Sequence, residues 1–130
     1  ITDCLNFGNP QNPEVMWQFA QACEGIKRAC KELNTPVIGG NVSLYNETNG
    51  IAIQPTPAIG GVGIIEDVSK IIGSSFINKD EAIIIIGKTK GHLGASIYLR
   101  EIEGREEGAP PKVDLAAERK NGGFIRQLII

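Results

Sequence analysis

The sequence is poor in the residue types that mark several common classes of protein. Its 130 residues contain one histidine, 5% aromatic residues and three cysteines without a CxxC pair. An odd number of cysteines without CxxC spacing argues against a disulfide framework or a zinc site and is typical of a reducing, cytoplasmic compartment. No run approaches the roughly 18 apolar residues of a membrane-spanning helix. The net charge of −2 disfavours broad nucleic-acid binding, so the composition predicts a globular protein without nucleic-acid or membrane partners.

The chain also lacks a methionine at its start, because its only methionine is Met16, and it closes on the aliphatic run 128–130. Both features predict that these residues are an internal piece of a longer protein. A change in the pattern near residues 74–80 predicts a division into two parts. We expect residues 1–75 to form an α/β (α+β) core and residues 76–130 to begin a second unit.

A long amphipathic helix is the clearest predicted element. Asn12, Pro13 and Glu14 have the pattern of an N-cap, a first helical residue and a first-turn acid. Apolar residues then recur at helical spacing as far as Leu33. Asn34, a residue type that tolerates the left-handed conformation, predicts the end of the helix.

Shorter apolar runs predict strands and two further helices. Residues 36–38 predict a buried strand that ends in a glycine loop, and residues 82–86 predict a strand buried on both faces. Residues 1–10 are rich in turn formers and predict a loop that follows a possible strand end. The remaining predicted elements are strands over 51–53 and 58–65, a tight turn at Asn49–Gly50, and helices over 97–102 and from Asp114 onward.

The segment Gly39–Ser43, of sequence GGNVS, is the strongest candidate for chemistry. Two glycines would let the backbone approach a phosphate group closely. Asn41 and Ser43 stand two residues apart, which places both side chains on one side of an extended segment. An asparagine oxygen is a neutral, hard ligand that suits Mg²⁺ beside phosphate oxygens. On the motif alone, a strand-ending turn whose side chains satisfy local backbone groups is the more common structure.

Two single residues are weaker candidates. Asp3 lies in an Asn/Gly-rich segment, where an acid is more commonly a turn cap than a functional group. His92 has no nucleophile or acid at a recognisable spacing, so we expect a solvated loop residue rather than a catalytic base. The glycine-rich segment 91–96 could receive an anion at a helix start, although a plain helix start is at least as common.

Two longer motifs together resemble a known family. TDCLNFGNP at residues 2–10 and TPVIGGNVSLYNE at residues 35–47 are similar to the synthetase subunits of phosphoribosylformylglycinamidine synthase, of the small, separate-subunit bacterial type. Segments 13–18, 55–57 and 63–67 fit the same pattern. The resemblance is dense over residues 1–68 and continuous to the end of the chain.

The resemblance implies a fold similar to aminoimidazole ribonucleotide synthetase, in which a barrel-forming half precedes a larger α/β half. Residues 1–75 would be the C-terminal part of the first half, and residues 76–130 the start of the second. The resemblance also implies an ATP- and Mg²⁺-dependent ligase of purine synthesis, which converts formylglycinamide ribonucleotide and ammonia into formylglycinamidine ribonucleotide. The ammonia would come from glutamine through a glutaminase subunit, aided by a small bridging subunit.

The same resemblance assigns roles to four residues. Asp3 and Gly40 would contact ATP, Asn41 would bind Mg²⁺, and Ser43 would contact the ribonucleotide substrate. No catalytic residue is implied here, since His92 does not match the family's catalytic motif, and the piece alone is expected to be inactive. Two alternatives stay open. One is a structural or assembly module with an auxiliary nucleotide site, and the other is a sibling ATP-dependent enzyme, which the asparagine of Gly-Gly-Asn disfavours.

Overall fold

The predicted long helix, α1, spans Pro13–Leu33 in the computed structural model, which describes residues 1–130. The Asn12 side chain accepts a hydrogen bond from the Glu14 backbone N–H at 3.0 Å and caps the helix start. Asn34 ends the helix in the left-handed conformation, with φ of 53°. The predicted boundaries of this helix are therefore confirmed, because both are set by local side-chain and backbone chemistry.

A three-stranded sheet holds the first strand of the chain at its centre. The five strands are β1 (Thr2–Asn6), β2 (Gly39–Ser43), β3 (Glu47–Thr48), β4 (Ile51–Ala52) and β5 (Thr56–Gly60). β1 pairs in parallel with β2 and antiparallel with β5, so the order is β2–β1–β5. The helix α1 is the crossover between the parallel pair, as parallel neighbours require. Pro57 lies in the edge strand β5, where a missing N–H is tolerated.

Two predictions about this sheet are wrong. The loop predicted over residues 1–10 is wrong for residues 2–6, where the possible strand end is instead the full central strand. The strand predicted over residues 36–38 lies instead at Gly39–Ser43, and Ile38 is 80% exposed. Backbone pairing with β1 decides the outcome, since the register places Thr2 opposite Gly39 and Asn6 opposite Ser43. Strand preference depends on available partners more than on a residue's own propensity.

The core of the first part of the chain lies between the sheet and α1. Leu5, Phe7 and Val15 are buried, and Phe7 is fully so. The Phe7 and Phe19 rings meet edge to face, with centroids 5.3 Å apart and planes inclined by 75°, a favoured aromatic geometry. The other side chains packed on this core are Ala22, Cys23, Ile26 and Leu44. Alternation along β1 and the helical stripe of α1 thus meet in one cluster.

A short hairpin fills the connection after β2. β3 and β4 pair antiparallel, with Glu47 opposite Ala52 and Thr48 opposite Ile51. The connecting residues Asn49 and Gly50 both have positive φ, 53° and 77°, the combination expected of a tight type I′ turn. The predicted turn and the start of the predicted strand over 51–53 are confirmed, whereas the strand predicted over 58–65 is observed at residues 56–60.

The second part of the chain contains two helices and no strand. α2 (Ile97–Glu101) is capped by Ser96, and α3 (Leu115–Ile129) is capped by Asp114, so both predicted helices are confirmed. The buried strand predicted over residues 82–86 is wrong. Ile83, Ile84 and Ile85 are 74%, 77% and 82% exposed and lie outside any regular element. A strand needs neighbours for its backbone hydrogen bonds, and residues 70–130 provide none.

The chain divides into two compact units, Ile1–Ser69 and Lys70–Ile130, joined where a 3₁₀ turn spans Val68–Lys70. This mixture of helices and small sheets confirms the predicted α/β (α+β) class. The assignment of residues 1–75 and 76–130 to the two halves of a synthetase fold stays a prediction. None of the three helices combines the length and the apolar character needed to cross a lipid bilayer.

Candidate functional site

The sheet of residues 1–69 has one apolar face and one polar face. Successive side chains along a strand point to opposite sides, and residues paired in register share a side. Leu5 packs on α1, which identifies the helix side. The opposite side, hereafter the polar face, carries the small and polar side chains of Thr2, Cys4, Asn6, Asn41, Ser43 and Thr56. A sheet face built of hydroxyl, amide and thiol groups suits a polar ligand better than an apolar partner.

Asn41 and Ser43 stand together on the polar face. The Asn41 Nδ2 donates a hydrogen bond to the Ser43 Oγ at 3.3 Å, which confirms that the two side chains lie on one side of an extended segment. Asn41 is exposed and Ser43 is half-buried. Because the amide nitrogen faces Ser43, the Oδ1 oxygen of Asn41 is directed elsewhere and keeps its capacity to accept or coordinate.

Gly40 and Asp3 form the closest crossing between the two parallel strands. The two residues are directly paired, and Gly40 has φ of +152°. A Cβ atom on Gly40 would overlap the carbonyl oxygen and the Oδ1 of Asp3 and would stand 2.9 Å from the Asp3 carbonyl carbon. Only glycine fits here, for the backbone angle and for the space. Both glycines therefore lie in a strand rather than in a free loop, and Gly40 is the site of close approach between the two backbones.

Asp3 lies on the helix side of the sheet, two residues before Leu5. Both line a shallow hollow of about 340 Å³ beneath α1. The hollow is completed by Cys23, Ile26, Lys27, Cys30, Lys31 and Val37. Lys27 also forms an ion pair with Glu24 at 2.5 Å, and this hydrogen bond lowers the pKa of the Glu24 carboxyl below its ordinary value. The hollow thus combines one carboxylate with two ammonium groups above an apolar floor.

The four predicted site residues fall into two groups on opposite sides of one strand pair. Asn41 and Ser43 are on the polar face, whereas the Asp3 side chain and the space above Gly40 are on the helix side. β2 is an edge strand, so its outer margin separates the two sides. Gly39 has open space where a Cβ would stand. A ligand that reached both groups would pass over this glycine margin, where no side chain obstructs it.

The remaining candidates have simpler structural roles. His92 is an exposed loop residue whose Nε2 lies 2.8 Å from the Ala109 carbonyl oxygen, in agreement with its predicted place in a loop. Cys4, Cys23 and Cys30 are free thiols. No group of three His, Cys, Asp or Glu side chains is close enough to hold a metal ion. One polar-face residue, Asn6, was not predicted from the sequence, because only the strand register shows that it stands beside Ser43.

Comparison with known families matches residues 1–65 to the domain described as AIR synthase related protein, N-terminal domain. The chain belongs to this family. The AIR synthase related match covers the whole sheet, α1 and all four predicted site residues. The predicted aminoimidazole ribonucleotide synthetase-like fold is thereby confirmed for this part of the chain.

Individual relatives are similar over almost the full length of this AIR synthase related chain. The protein named phosphoribosylformylglycinamidine synthase subunit PurL from Bradyrhizobium diazoefficiens is 60% identical over 129 residues, which are 99% of the chain and 18% of the relative. The proteins of the same name from Caulobacter vibrioides and a Sulfurovum species are 57% and 58% identical over 99% and 92% of the chain. The predicted resemblance is confirmed, and the chain spans less than a fifth of the length of these relatives.

Proposed function

We propose that this chain forms part of the ATP- and Mg²⁺-binding site of a carbon–nitrogen ligase of purine synthesis. The reaction would be the one predicted from the sequence, in which formylglycinamide ribonucleotide and glutamine-derived ammonia give formylglycinamidine ribonucleotide. Relatives named as subunits of this synthase, at 57–60% identity, support the assignment. The sheet of residues 1–69 would supply one wall of the site, and no catalytic residue is assigned to it.

The observation that carries the proposal is the pairing of Asn41 with Ser43 on the polar face, 3.3 Å apart. Two neutral groups placed this way can serve two parts of one ligand assembly. Asn41 Oδ1 would coordinate Mg²⁺, and the Ser43 hydroxyl would bind the ribonucleotide. Both are held by a strand rather than a loop, so little conformational freedom would be lost on binding.

The donor set fits a magnesium site of partial, shared type. Mg²⁺ prefers oxygen ligands and commonly keeps waters and phosphate oxygens around one or two protein groups. Asn41 would be one such group, as its amide nitrogen is already engaged by Ser43. When bound, the ion would neutralise phosphate charge and hold the nucleotide in place. The protein's own contribution is a fixed, neutral oxygen at the margin of the sheet.

Gly40 and Asp3 would contribute to ATP binding from the other side of β2. Any side chain on Gly40 would displace Asp3, whose backbone oxygen occupies that space. The Asp3 carboxylate and the Lys27 and Lys31 ammonium groups line the same hollow. A nucleotide that crossed the glycine margin would thus meet donors and an acceptor on this side.

We infer further that the longer protein acts with a glutaminase subunit and a small bridging subunit, in the cytoplasm. The relatives are named as subunits of the synthase, and an ammonia-consuming site needs a supply of ammonia. The alternative is a structural module in which any nucleotide bound to this sheet is auxiliary. The Asp3 and Asn41 side chains lie on opposite faces of the sheet, and this observation supports the alternative.

The test is an Asn41→Ala change in the full-length protein that contains this chain. Loss of a metal-ligating oxygen should raise the Mg²⁺ concentration for half-maximal turnover by about 10–100-fold. Thr2→Ala, on the same polar face at the far end of β1, is the matched control. Unchanged ATP-dependent turnover and Mg²⁺ dependence in Asn41→Ala would favour the structural alternative.

A further inference from the structure

Asn6 stands at the point where both parallel strands of the sheet end. It is the last residue of β1 and is paired with Ser43, the last residue of β2. In parallel α/β sheets, ligands bind outside the carboxyl ends of the strands. Asn6 and Ser43 therefore present a second amide and a hydroxyl side by side at this edge of the polar face.

The amide of Asn6 is held in one orientation. Its Nδ2 donates to the Cys4 carbonyl oxygen at 3.2 Å and to the Thr56 carbonyl oxygen at 3.2 Å, and it lies 3.4 Å from the Cys4 Sγ. These contacts connect β1 to β5 across the face. Rotation of the amide by half a turn would put Oδ1 against two carbonyl oxygens, which is unfavourable because all three groups are acceptors.

The Oδ1 oxygen of Asn6 takes part in none of these bonds. Asn6 is half-buried, and the chain contains no buried side-chain oxygen or nitrogen that lacks a hydrogen-bond partner. Oδ1 is therefore open to solvent on the polar face. An amide whose nitrogen is fixed presents its oxygen as a preorganised acceptor.

We propose that Asn6 Oδ1 binds a hydroxyl or amide N–H group of the substrate held by Ser43, and so selects for a donor at that position. This inference rests on the proposed function and deepens it. A fixed acceptor repels phosphate oxygens, which accept hydrogen bonds and carry negative charge. The phosphates would accordingly lie toward Asn41, and the sugar or amide part of the ribonucleotide toward Asn6 and Ser43.

The experiment is steady-state kinetics of Asn6→Ala in the full-length protein. We expect the KM for the ribonucleotide to rise about tenfold, the effect of one lost hydrogen bond, with the KM for ATP unchanged. Thr56→Val is the matched control, because it removes a hydroxyl from the same face and keeps the carbonyl group that anchors Asn6. This control should leave both KM values unchanged.

Analogues separate the two possible donors. If the donor is a sugar hydroxyl, the 2′- or 3′-deoxy ribonucleotide will bind more weakly than the ribonucleotide to the wild-type protein, and equally to Asn6→Ala. If the donor is the amide N–H, the deoxy analogues will lose the same binding affinity in both proteins. An N-methyl amide analogue will then bind more weakly than the ribonucleotide to the wild-type protein, and equally to Asn6→Ala. If the wild-type protein and Asn6→Ala respond identically to every one of these analogues, the proposal is overturned.

A measurement on the unaltered protein covers the case in which Asn6→Ala does not fold. Cys4 Sγ is beside the Asn6 amide on the polar face, whereas Cys23 and Cys30 line the hollow under α1. The ribonucleotide should slow alkylation of Cys4 several-fold relative to Cys23 and Cys30, as followed by peptide mass spectrometry. Equal alkylation of Cys4 with and without the ribonucleotide would contradict the proposal.

The two proposals fail in different ways. If Asn41→Ala raises the Mg²⁺ concentration needed for half-maximal turnover while Asn6→Ala keeps its KM for the ribonucleotide, the proposed function stands and the role of Asn6 is wrong. If Asn6→Ala lowers thermal stability and raises both KM values alike, Asn6 is only a link between β1 and β5. If neither change affects turnover, the proposed function itself is wrong.

Discussion

Residues 1–69 and residues 70–130 both contain long aliphatic side chains, and they differ in how those side chains are covered. In the first unit β1 has a strand on each side and α1 over one face, and Leu5, Phe7 and Val15 are buried. In the second unit Leu99 is the only buried hydrophobic side chain, and it keeps 9% of its surface exposed. Apolar composition alone does not make a core, because aliphatic groups must be brought together by elements whose backbone bonds are already satisfied.

The largest expected effect comes from removing matched core and surface groups from the 130-residue chain. Phe7→Ala should lower the free energy of unfolding by about 3–5 kcal/mol, because it empties a fully buried site packed against Phe19. Ile84→Ala should cost less than about 0.5 kcal/mol, since its side chain is exposed. Peptide-resolved hydrogen exchange measures both.

The same two substitutions, made in the full-length protein, test whether the contrast between the two units holds there. If Ile84→Ala costs as much there as Phe7→Ala, then a segment outside residues 1–130 covers the run 82–86. The contrast between the two units would then belong to this chain and not to the longer protein. A small cost for Ile84→Ala in both contexts would sharpen the contrast instead.

An intermediate effect is expected at the crossing of β1 and β2. Gly40→Ala should destabilise the first unit by about 1–3 kcal/mol, because the added Cβ overlaps the Asp3 carbonyl oxygen. Gly39→Ala is the matched control, with nothing within 4 Å of its new Cβ. Hydrogen exchange of β1 peptides reports the difference, and equal effects of the two changes would contradict the close approach described here.

The smallest effects concern one exposed carboxyl in each unit. The Ser69 hydroxyl and backbone N–H lower the pKa of Asp67, and the Asn78 side chain lowers the pKa of Glu81. Stability from these contacts is present above the ordinary carboxyl pKa and is lost as pH falls through the lowered value. Ser69→Ala and Asn78→Ala should each raise the neighbouring carboxyl's pKa, as followed by NMR titration. A shift in only one unit would show that the other contact does not persist in solution.

The sequence predicts those parts of the fold that depend on neighbouring residues. The start of α1 at Pro13 and its end before Asn34 are set within one helical turn, as are the caps at Ser96 and Asp114. The position of β2 could not be predicted, because it depends on β1, which is distant in sequence. The strand predicted over residues 82–86 is wrong for the same reason, since a strand is defined by its partners as well as by its composition.

The candidate site divides along the same line. The spacing of Asn41 and Ser43 predicts their shared side without any tertiary information, and a hydrogen bond joins them. The placement of Asp3 on the opposite side requires the register of β1 against β2, and so does the position of Asn6 beside Ser43. Residue types suggest the chemistry, whereas the face that each residue occupies follows from long-range pairing.

The central place of β1 has a consequence for how the molecule is made. Within this chain β1 is synthesised before both of its partners, β2 and β5, and Thr2 pairs with Gly60. Contacts between residues far apart in sequence form late, because the entropy of closing the intervening loop must be overcome first. The central strand of this sheet therefore remains without these two neighbours until the residues that form β2 and β5 have been synthesised.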